Sequence, residues 1–249
     1  LYPGTARLLN SSELLVRLIE KRKADPAEDR FRGGSGALRV SSDHVVIDTV
    51  AWFEDVEQVL VDAPWGRPPV VPPLARNTSI AVHPAGHKVC IGDQNGPEVQ
   101  CFDADGRSRS VRWTASPLPV RDVDPDVALW REATVELYES KLTADETRQL
   151  VDQVRTPAVR PDYSGLVLDR AGNLWVERGP GGSGSGPGID YLVFDSAGVL
   201  VGSLAMPSMR VLEIGSDYVL GVVRDELEVQ YLLELELDKP PIAVDLGSQ

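Results

Sequence analysis

The chain has 249 residues and carries 38 acidic against 25 basic side chains, for a formal net charge of −13. This length is enough for one large domain with a substantial core. The acidic balance argues against nucleic-acid binding, because phosphates require Lys and Arg on one face, and equally against adsorption to anionic lipid. No apolar run is long enough for a transmembrane helix, so we expect no membrane span.

Residues 1–62 are predicted to form a diverged β-blade of two hairpins. Alternating apolar residues predict strands over 6–10 and 13–19, and a second hairpin over 37–52. The chain starts at Leu1 rather than Met and shows no signal-peptide pattern. We therefore expect an N-terminus that was processed or cut.

Two later segments repeat one another. Ile80-Ala-Val-His-Pro-Ala-Gly-His-Lys-Val-Cys-Ile-Gly-Asp and Leu166-Val-Leu-Asp-Arg-Ala-Gly-Asn-Leu-Trp-Val-Glu-Arg-Gly each predict a strand, a tight turn and a strand. A further pair of strands around an Asx-x-x-Gly turn follows each of them. One such unit is a four-stranded antiparallel blade. We therefore predict an all-β fold of the β-propeller kind, with blades over 74–113 and 162–206.

The two cysteines, Cys90 and Cys101, lie within the first of these repeats. If Asn95-Gly96 forms a two-residue hairpin turn, the turn places the two cysteines opposite each other. Either they form a cross-strand disulfide, or they remain reduced thiols packed as small apolar side chains, for example because Pro97 widens the loop and shifts the register. A disulfide would favour an extracellular or periplasmic location.

Residues 125–156 interrupt the repeat and predict a helical insert. Apolar residues recur there at roughly helical spacing, and Thr143-Ala-Asp-Glu146 has the pattern of a capping box. We predict two helices that cover one face of the disc. They either seal the end of the core or form a lid over a ligand channel.

A fourth blade is predicted over residues 208–238, followed by an exposed, Pro-rich C-terminal tail over 239–249. In its last strand Glu234 and Glu236 alternate with leucines, which is typical of a strand with one buried and one solvated face. The propeller domain as a whole is therefore predicted to span residues 1–238.

A family resemblance is carried by three runs of the C-terminal half. They are Asp162-Tyr-Ser-Gly-Leu-Val-Leu-Asp-Arg-Ala-Gly-Asn-Leu-Trp-Val-Glu, Val193-Phe-Asp-Ser-Ala-Gly-Val-Leu-Val-Gly and Val211-Leu-Glu-Ile-Gly-Ser-Asp-Tyr-Val-Leu-Gly-Val-Val-Arg-Asp-Glu-Leu-Glu-Val. Together they resemble the C-terminal part of bacterial six-bladed β-propeller proteins related to the NHL-repeat propellers. The resemblance covers about residues 75–238, including the helical insert, and it implies a secreted protein.

The resemblance implies six blades, whereas four are counted in this sequence. Either about two N-terminal blades are missing, or two chains complete each other, or the ring is open. An open ring leaves exposed sheet edges, which are templates for association. We therefore expect a protein partner or self-association through such an edge.

Candidate ligand-binding residues lie where the inner strands begin and where the second strands end. Asn77 and Tyr163 occupy equivalent positions at the start of the inner strand in two blades. Asp93, Glu177 and Arg224 follow the second strand in three successive blades. Because propellers place function at one end of the central channel, we predict that these five residues line a ligand site.

A calcium site is a further implication of the resemblance. Related propeller hydrolases hold Ca²⁺ at such rims with Asp, Glu and Asn oxygens, and Asn77, Asp93 and Glu177 would be the corresponding ligands here. The ion would polarise a carbonyl or phosphoryl oxygen of a substrate. The alternative is that each carboxylate is solvated or caps a turn.

Two functions therefore remain open, and with them whether the protein is an enzyme. The first is an exported binding or assembly module with a small-molecule or partner site at the channel rim or at an exposed sheet edge. The second is a Ca²⁺-dependent hydrolase of lactones, aryl esters or phosphotriesters. Carboxylate and amide oxygens that converge on one point would favour the second function.

Overall fold

The computed structural model describes residues 2–10, 13–20, 30–114, 119–120, 124–178, 188–225 and 227–238, and in the first of these ranges only the side chains of Ala6 and Leu9. Sixteen strands and two helices form in this part of the chain. In chain order they are β1 (Tyr2–Asn10), β2 (Glu13–Ile19), β3 (Arg30–Ser41), β4 (Val46–Leu60), β5 (Pro69–Val70), β6 (Ser79–Val82), β7 (Lys88–Gly92), β8 (Glu98–Asp103), β9 (Ser108–Arg112), α1 (Pro125–Tyr138), α2 (Ala144–Gln153), β10 (Gly165–Leu168), β11 (Leu174–Arg178), β12 (Ile189–Phe194), β13 (Leu200–Met206), β14 (Arg210–Ile214), β15 (Tyr218–Arg224) and β16 (Gln230–Glu236).

The strands form four antiparallel sheets, and within each sheet the strands are neighbours in chain order. The sheets are β1–β5, β6–β9, β10–β13 and β14–β16, which we call the first to fourth blades. The first strand of the third blade, β10, contacts both β6 and β14, so the inner strands of successive blades lie side by side. The predicted mostly-β, propeller-like fold with two helices is therefore confirmed.

The first blade continues beyond the hairpins seen in the sequence. Its β4 reaches Leu60, and the short β5 pairs with Val59 and Leu60. Proline-rich sequence lies on either side of β5, which explains why this last strand is so short.

The β7–β8 hairpin has the predicted register, in which Cys90 pairs with Cys101. The two sulfur atoms are bonded, and the Cα atoms lie 4.0 Å apart, closer than the separation of about 4.5 Å that is usual for directly opposed antiparallel residues. The connection differs from the predicted two-residue turn, because β7 ends at Gly92 and β8 begins only at Glu98. The longer loop leaves the strand register unchanged.

Apolar clusters hold neighbouring blades together face to face. Leu174, Val176 and Phe194 of the third blade pack against Val99 and Val111 of the second. Similar clusters join the third blade to the fourth and the first to the second. Along β7 and over the first three residues of β11, successive residues are all buried and the apolar ones belong to alternate clusters, so each face of these blades meets a different neighbour.

The helical insert packs against the end of the first blade. α2 begins with the predicted capping box, in which Thr143 and Glu146 each satisfy a backbone N–H of the other. Leu150 of α2 is buried against Val61 and Val70 of the first blade. Neither helix has the length and apolar composition needed to cross a membrane. The tail predicted over 239–249 lies outside the described residues.

Candidate functional site

A groove of about 510 Å³ lies between α1 and the rim of the second and third blades, and we call it the lid groove. Leu129 and Trp130 of α1 form one wall, and Leu74 lies in the connector before β6. Asn77 and Ser164 line it where β6 and β10 begin. Its volume falls within the range of small-molecule sites, which are concave and mostly apolar with a few polar groups.

A chain of hydrogen bonds forms the polar floor of the lid groove. The Asn77 backbone N–H donates to the Gln94 side-chain oxygen at 2.6 Å, and the Gln94 backbone N–H donates to the Tyr163 hydroxyl at 2.9 Å. Tyr163 is 1% exposed, and burial raises the pKa of its phenol, so the hydroxyl stays neutral. A Cβ atom at Gly92 would lie 2.1 Å from that hydroxyl, so this position requires glycine.

Ser164 presents a hydroxyl oxygen whose proton is already engaged. Its Oγ donates to Glu177 Oε1 at 2.7 Å, and the Tyr191 hydroxyl donates to Glu177 Oε2 at 3.1 Å. Burial, followed by the charge of Glu177, raises the pKa of Tyr191 and keeps its proton on the phenol. The Ser164 oxygen is therefore free to accept a hydrogen bond from a molecule in the groove.

The one cationic side chain that lines the lid groove within the described residues, Arg160, is paired with two carboxylates. Arg160 Nη2 lies 2.7 Å from both carboxylate oxygens of Asp124, the N-cap residue of α1. Arg160 Nη1 lies 2.7 Å from Asp126 in the first turn of the same helix. These charge-assisted bonds fix the start of α1 to the segment that leads into β10. They also leave the groove without a free cation for an anionic ligand among the described residues.

Two residues of the lid groove have backbone angles that L-amino acids rarely adopt. Leu74 has φ of 54° and Gln94 has φ of 60°. Gln94 lies in a hairpin connection, as do the other two such non-glycine residues of the described part of the chain, His44 and Glu228, whereas Leu74 lies in the connector before β6. Left-handed backbone costs free energy for ordinary side chains and concentrates where function requires it. The strained backbone of Leu74, outside any hairpin, therefore marks this wall of the groove independently of its shape.

The α1 wall is held at a fixed distance from the connector. The indole Nε1 of Trp130 donates to the backbone carbonyl of Val71 at 2.8 Å. Leu129, the neighbouring residue of α1, is 53% exposed. The insert therefore has two roles, since α2 seals the end of the first blade while α1 borders an open groove.

The five residues predicted as a ligand site are only partly brought together. Asn77 and Tyr163 line the lid groove, and Glu177 lies behind Ser164. Asp93 lines a different groove, between the first and second blades. Arg224 is exposed and pairs at 2.9 Å with a glutamate of its own hairpin connection.

The proposed calcium ligands do not fit a metal site. The Asn77 side-chain oxygen accepts the next backbone N–H, both Asp93 oxygens accept from Asn95, and both Glu177 oxygens accept the hydroxyl groups described above. In the described ranges no three His, Cys, Asp or Glu side chains are grouped to hold a metal ion. The calcium ligand set therefore remains a prediction from the resemblance alone.

A network of buried charges joins the first blade to the second, and our sequence predictions did not include it. Asp55 accepts from the Ser35 hydroxyl at 2.8 Å and forms an ion pair with Arg17. Arg32 donates to the Asp55 backbone carbonyl at 2.7 Å and to the Asn95 side-chain oxygen at 2.9 Å. The last contact crosses from the first blade to the loop that follows β7.

Glu57 is the second buried carboxylate of this network. Its side chain is 4% exposed and lies 3.0 Å from Arg30 and 3.3 Å from Arg76. Burial alone raises the pKa of Glu57, but hydrogen bonds from Arg76 and the charges of Arg30 and Arg76 outweigh it and hold the pKa below its usual value. A signal was available, since Arg30 and Arg32 on β3, and Asp55 and Glu57 on β4, each share one strand face.

No protein-family model matches the chain, and a search of curated proteins found no match. Among solved structures, the β-propeller domain of the Trilobed protease from Pyrococcus furiosus is 10% identical, with a TM-score of 0.41 over 96% of this chain and 57% of that one. Pyrococcus horikoshii acylaminoacyl peptidase is 10% identical, with a TM-score of 0.43 over 96% of this chain and 32% of that one. The calcium-binding protein regucalcin from Agrobacterium tumefaciens is 14% identical, with a TM-score of 0.40 over 94% of this chain and 61% of that one. The chain thus spans 32% to 61% of the length of these structures.

Proposed function

We propose that this protein is a non-catalytic binding module whose ligand is a small amphipathic molecule with an uncharged polar end. The observation that carries the proposal is the lid groove, in which an apolar wall on α1 faces neutral hydrogen-bonding groups at the rim of two blades. Such a combination of concave apolar surface and a few fixed polar groups is typical of small-molecule sites.

The polarity of the groove indicates the chemistry of the ligand. Leu129 and the Trp130 ring contact an apolar body, while the Asn77 amide and the Ser164 oxygen meet a polar end. Because Arg160 is already paired with two carboxylates, an anionic group would find no unpaired cation among the described lining residues. A hydroxyl, amide or ester group suits the neutral amide and hydroxyl better.

The compartment we propose is extracellular or periplasmic. The bond between Cys90 and Cys101 supports this location, since disulfides persist in oxidising environments and are rare in the cytosol. No specific observation favours the alternative function, calcium-dependent hydrolysis, because the oxygens of Asn77, Asp93 and Glu177 do not converge on one point.

A groove-filling variant tests the proposal. Ala133 of α1 lines the lid groove and Ala128 of the same helix is exposed outside it, so Ala133→Trp and Ala128→Trp form a matched pair. The probe is N-phenyl-1-naphthylamine, a neutral amphipathic molecule that fluoresces in apolar sites. We expect it to bind the natural protein and Ala128→Trp alike, and Ala133→Trp about tenfold more weakly, which corresponds to about 1.4 kcal/mol.

Two kinds of result would overturn the proposal. One is probe binding that Ala133→Trp leaves unchanged, or the absence of any binding to the natural protein. The other is turnover of a lactone, aryl-ester or phosphotriester panel that EDTA abolishes and Ca²⁺ restores, since this would establish the hydrolase instead.

A further inference from the structure

Strand β4 is paired along only one of its edges over most of its length. On one side β3 pairs with it from Val46 to Val59. On the other side, within the described ranges, β5 pairs only with Val59 and Leu60. The backbone groups of residues 46–53 on that second edge therefore lack a ladder partner among the described residues, and unpaired strand edges accept further strands.

A groove of about 490 Å³ borders this edge, between the first and second blades, and we call it the seam groove. Three consecutive residues of β4, Ala51, Trp52 and Phe53, line it. Successive side chains of a strand point to opposite faces, so three in a row line a cavity only where the edge of the strand borders it. The seam groove therefore gives access to backbone as well as to side chains.

The walls of the seam groove offer aromatic surface. Trp52 borders the groove at the strand edge, but its 59% exposed side chain lies against Gly36, on the face of β4 that points away from the second blade. Phe53 also lines the groove from β4, and Phe102 faces it from β8. Half-buried aromatic rings beside a free strand edge, here those of Phe53 and Phe102, form a pocket for a side chain of an added strand.

The charge at the seam groove favours a basic partner. Asp93 accepts two hydrogen bonds from the neutral Asn95 and makes no ion pair with the described residues, and its charge also acts on Arg32, which donates to Asn95. Glu98, which also lines the groove, engages Arg112 through one oxygen at 2.9 Å. Together with the net charge of −13, this unpaired carboxylate would attract a Lys or Arg of a partner.

We propose that the free edge of β4 binds an extended peptide segment in which apolar residues alternate with Lys or Arg. The peptide adds a strand to the first blade, sets an apolar side chain between Phe53 and Phe102, and brings a cation to Asp93. This mode of recognition takes its affinity from main-chain hydrogen bonds and its specificity from the pockets. The site is distinct from the lid groove, so neither proposal depends on the other.

Three labelled peptides test the mode of binding, at about 0.15 M salt so that long-range attraction is screened. The first is Lys-Val-Lys-Phe-Lys-Val-Lys, the second has Glu in place of Lys, and the third is the first with alternate backbone nitrogens methylated. We expect the Lys peptide to bind, and the other two to bind at least about tenfold more weakly. We also expect hydrogen exchange at the amides of residues 46–53 to slow in the complex.

Two matched pairs of variants locate the site. Gln100→Trp fills the seam groove, while Ser203→Trp places the same ring on an exposed strand of the third blade. Asp93→Asn removes the carboxylate charge from the seam groove, while Asp105→Asn removes a carboxylate charge from an exposed turn. We expect the Lys peptide to bind Gln100→Trp about tenfold and Asp93→Asn about threefold more weakly, with both controls unchanged.

The proposal is wrong if the Lys peptide does not bind, or if the methylated peptide binds equally well. Binding without slower exchange in β4 would rule out strand addition, and binding that Gln100→Trp leaves unchanged would place the peptide elsewhere.

Discussion

The two seams that flank the second blade are built from different chemistry. At the seam with the third blade, Leu174, Val176 and Phe194 belong to a large, fully buried apolar cluster that includes the disulfide. At the seam with the first blade, a smaller apolar cluster is supplemented by ion pairs around Asp55 and Glu57. One blade therefore packs on its two neighbours by unlike means.

The two seams therefore contribute differently to the stability of the fold and to the orientation of the blades. Apolar burial is non-directional and roughly proportional to area, so the larger cluster dominates stability. Buried ions gain little net free energy once desolvation is counted, but they cost much when a partner is lost. The ion pairs therefore specify the orientation of the first blade on the second, and we expect the stability of this seam to depend on pH.

The largest expected effect is at the apolar seam. Phe194→Ala removes a ring that is 1% exposed, and we expect it to lower the free energy of unfolding by about 3–5 kcal/mol because it leaves a cavity. Leu200→Ala, at the cross-strand partner of Phe194, is the control, since Leu200 is 51% exposed. Urea denaturation followed by circular dichroism measures both. Equal losses in the two variants would show that this seam is not the main source of stability.

The next effect concerns the disulfide within the same seam. Reduction, or the double variant Cys90→Ala with Cys101→Ala, should lower the free energy of unfolding by about 2–3 kcal/mol, because the cross-link closes a short loop in the unfolded chain. Urea denaturation with and without reductant measures this. The reductant should destabilise the natural protein and leave the double variant unchanged. If the reductant leaves the free energy of unfolding of the natural protein unchanged, the prediction that a disulfide stabilises this seam is wrong.

The smallest effect is expected at the ionic seam. Glu57→Gln should lower the free energy of unfolding by about 1–2 kcal/mol at neutral pH, since Arg30 and Arg76 lose their carboxylate but remain within reach of water. The folded-state pKa of Glu57 lies below its unfolded pKa of about 4.3. The Glu57 carboxylate therefore stabilises the folded protein fully above the unfolded pKa, and this stabilisation is lost as the pH falls through the folded-state pKa.

Denaturation of both proteins at neutral and at acid pH checks this prediction. The difference between the natural protein and Glu57→Gln should narrow as the pH falls below about 4.3. Glu228→Gln is the control, because the Glu228 side chain is 77% exposed, pairs with the exposed Arg224 and should contribute little. A difference that stays constant with pH would show that the carboxylate charge is not what stabilises this seam.

Local features were predictable from the sequence. The capping box of Thr143 and Glu146 and the pairing of Cys90 with Cys101 each depend on residues close together in the chain. Comparing the two repeated blades also placed Asn77 and Tyr163 at equivalent strand starts, and both line the lid groove. In these cases the spacing of residues along one hairpin or helix decides the geometry.

The rest of the lid groove depends on parts of the chain that meet only in the folded protein. Trp130 lies on the helical insert and Leu74 in a connector, and nothing in either segment alone indicates that they share a wall. The positive φ of Gln94 likewise follows from the wider β7–β8 loop and not from its residue type. A ligand site built from several segments is therefore visible only in three dimensions.

The sequence by itself determined the strand alternation, the blade repeat and the position of the helices, because these follow from local periodicity. Only the tertiary structure decided which strand faces are covered. Asp55 and Glu57 alternate with Val56 in a pattern that suits a solvated face equally well. The neighbouring blade turns that face into a buried one, and the buried carboxylates are then paired with arginines from three different segments, β2, β3 and the connector before β6.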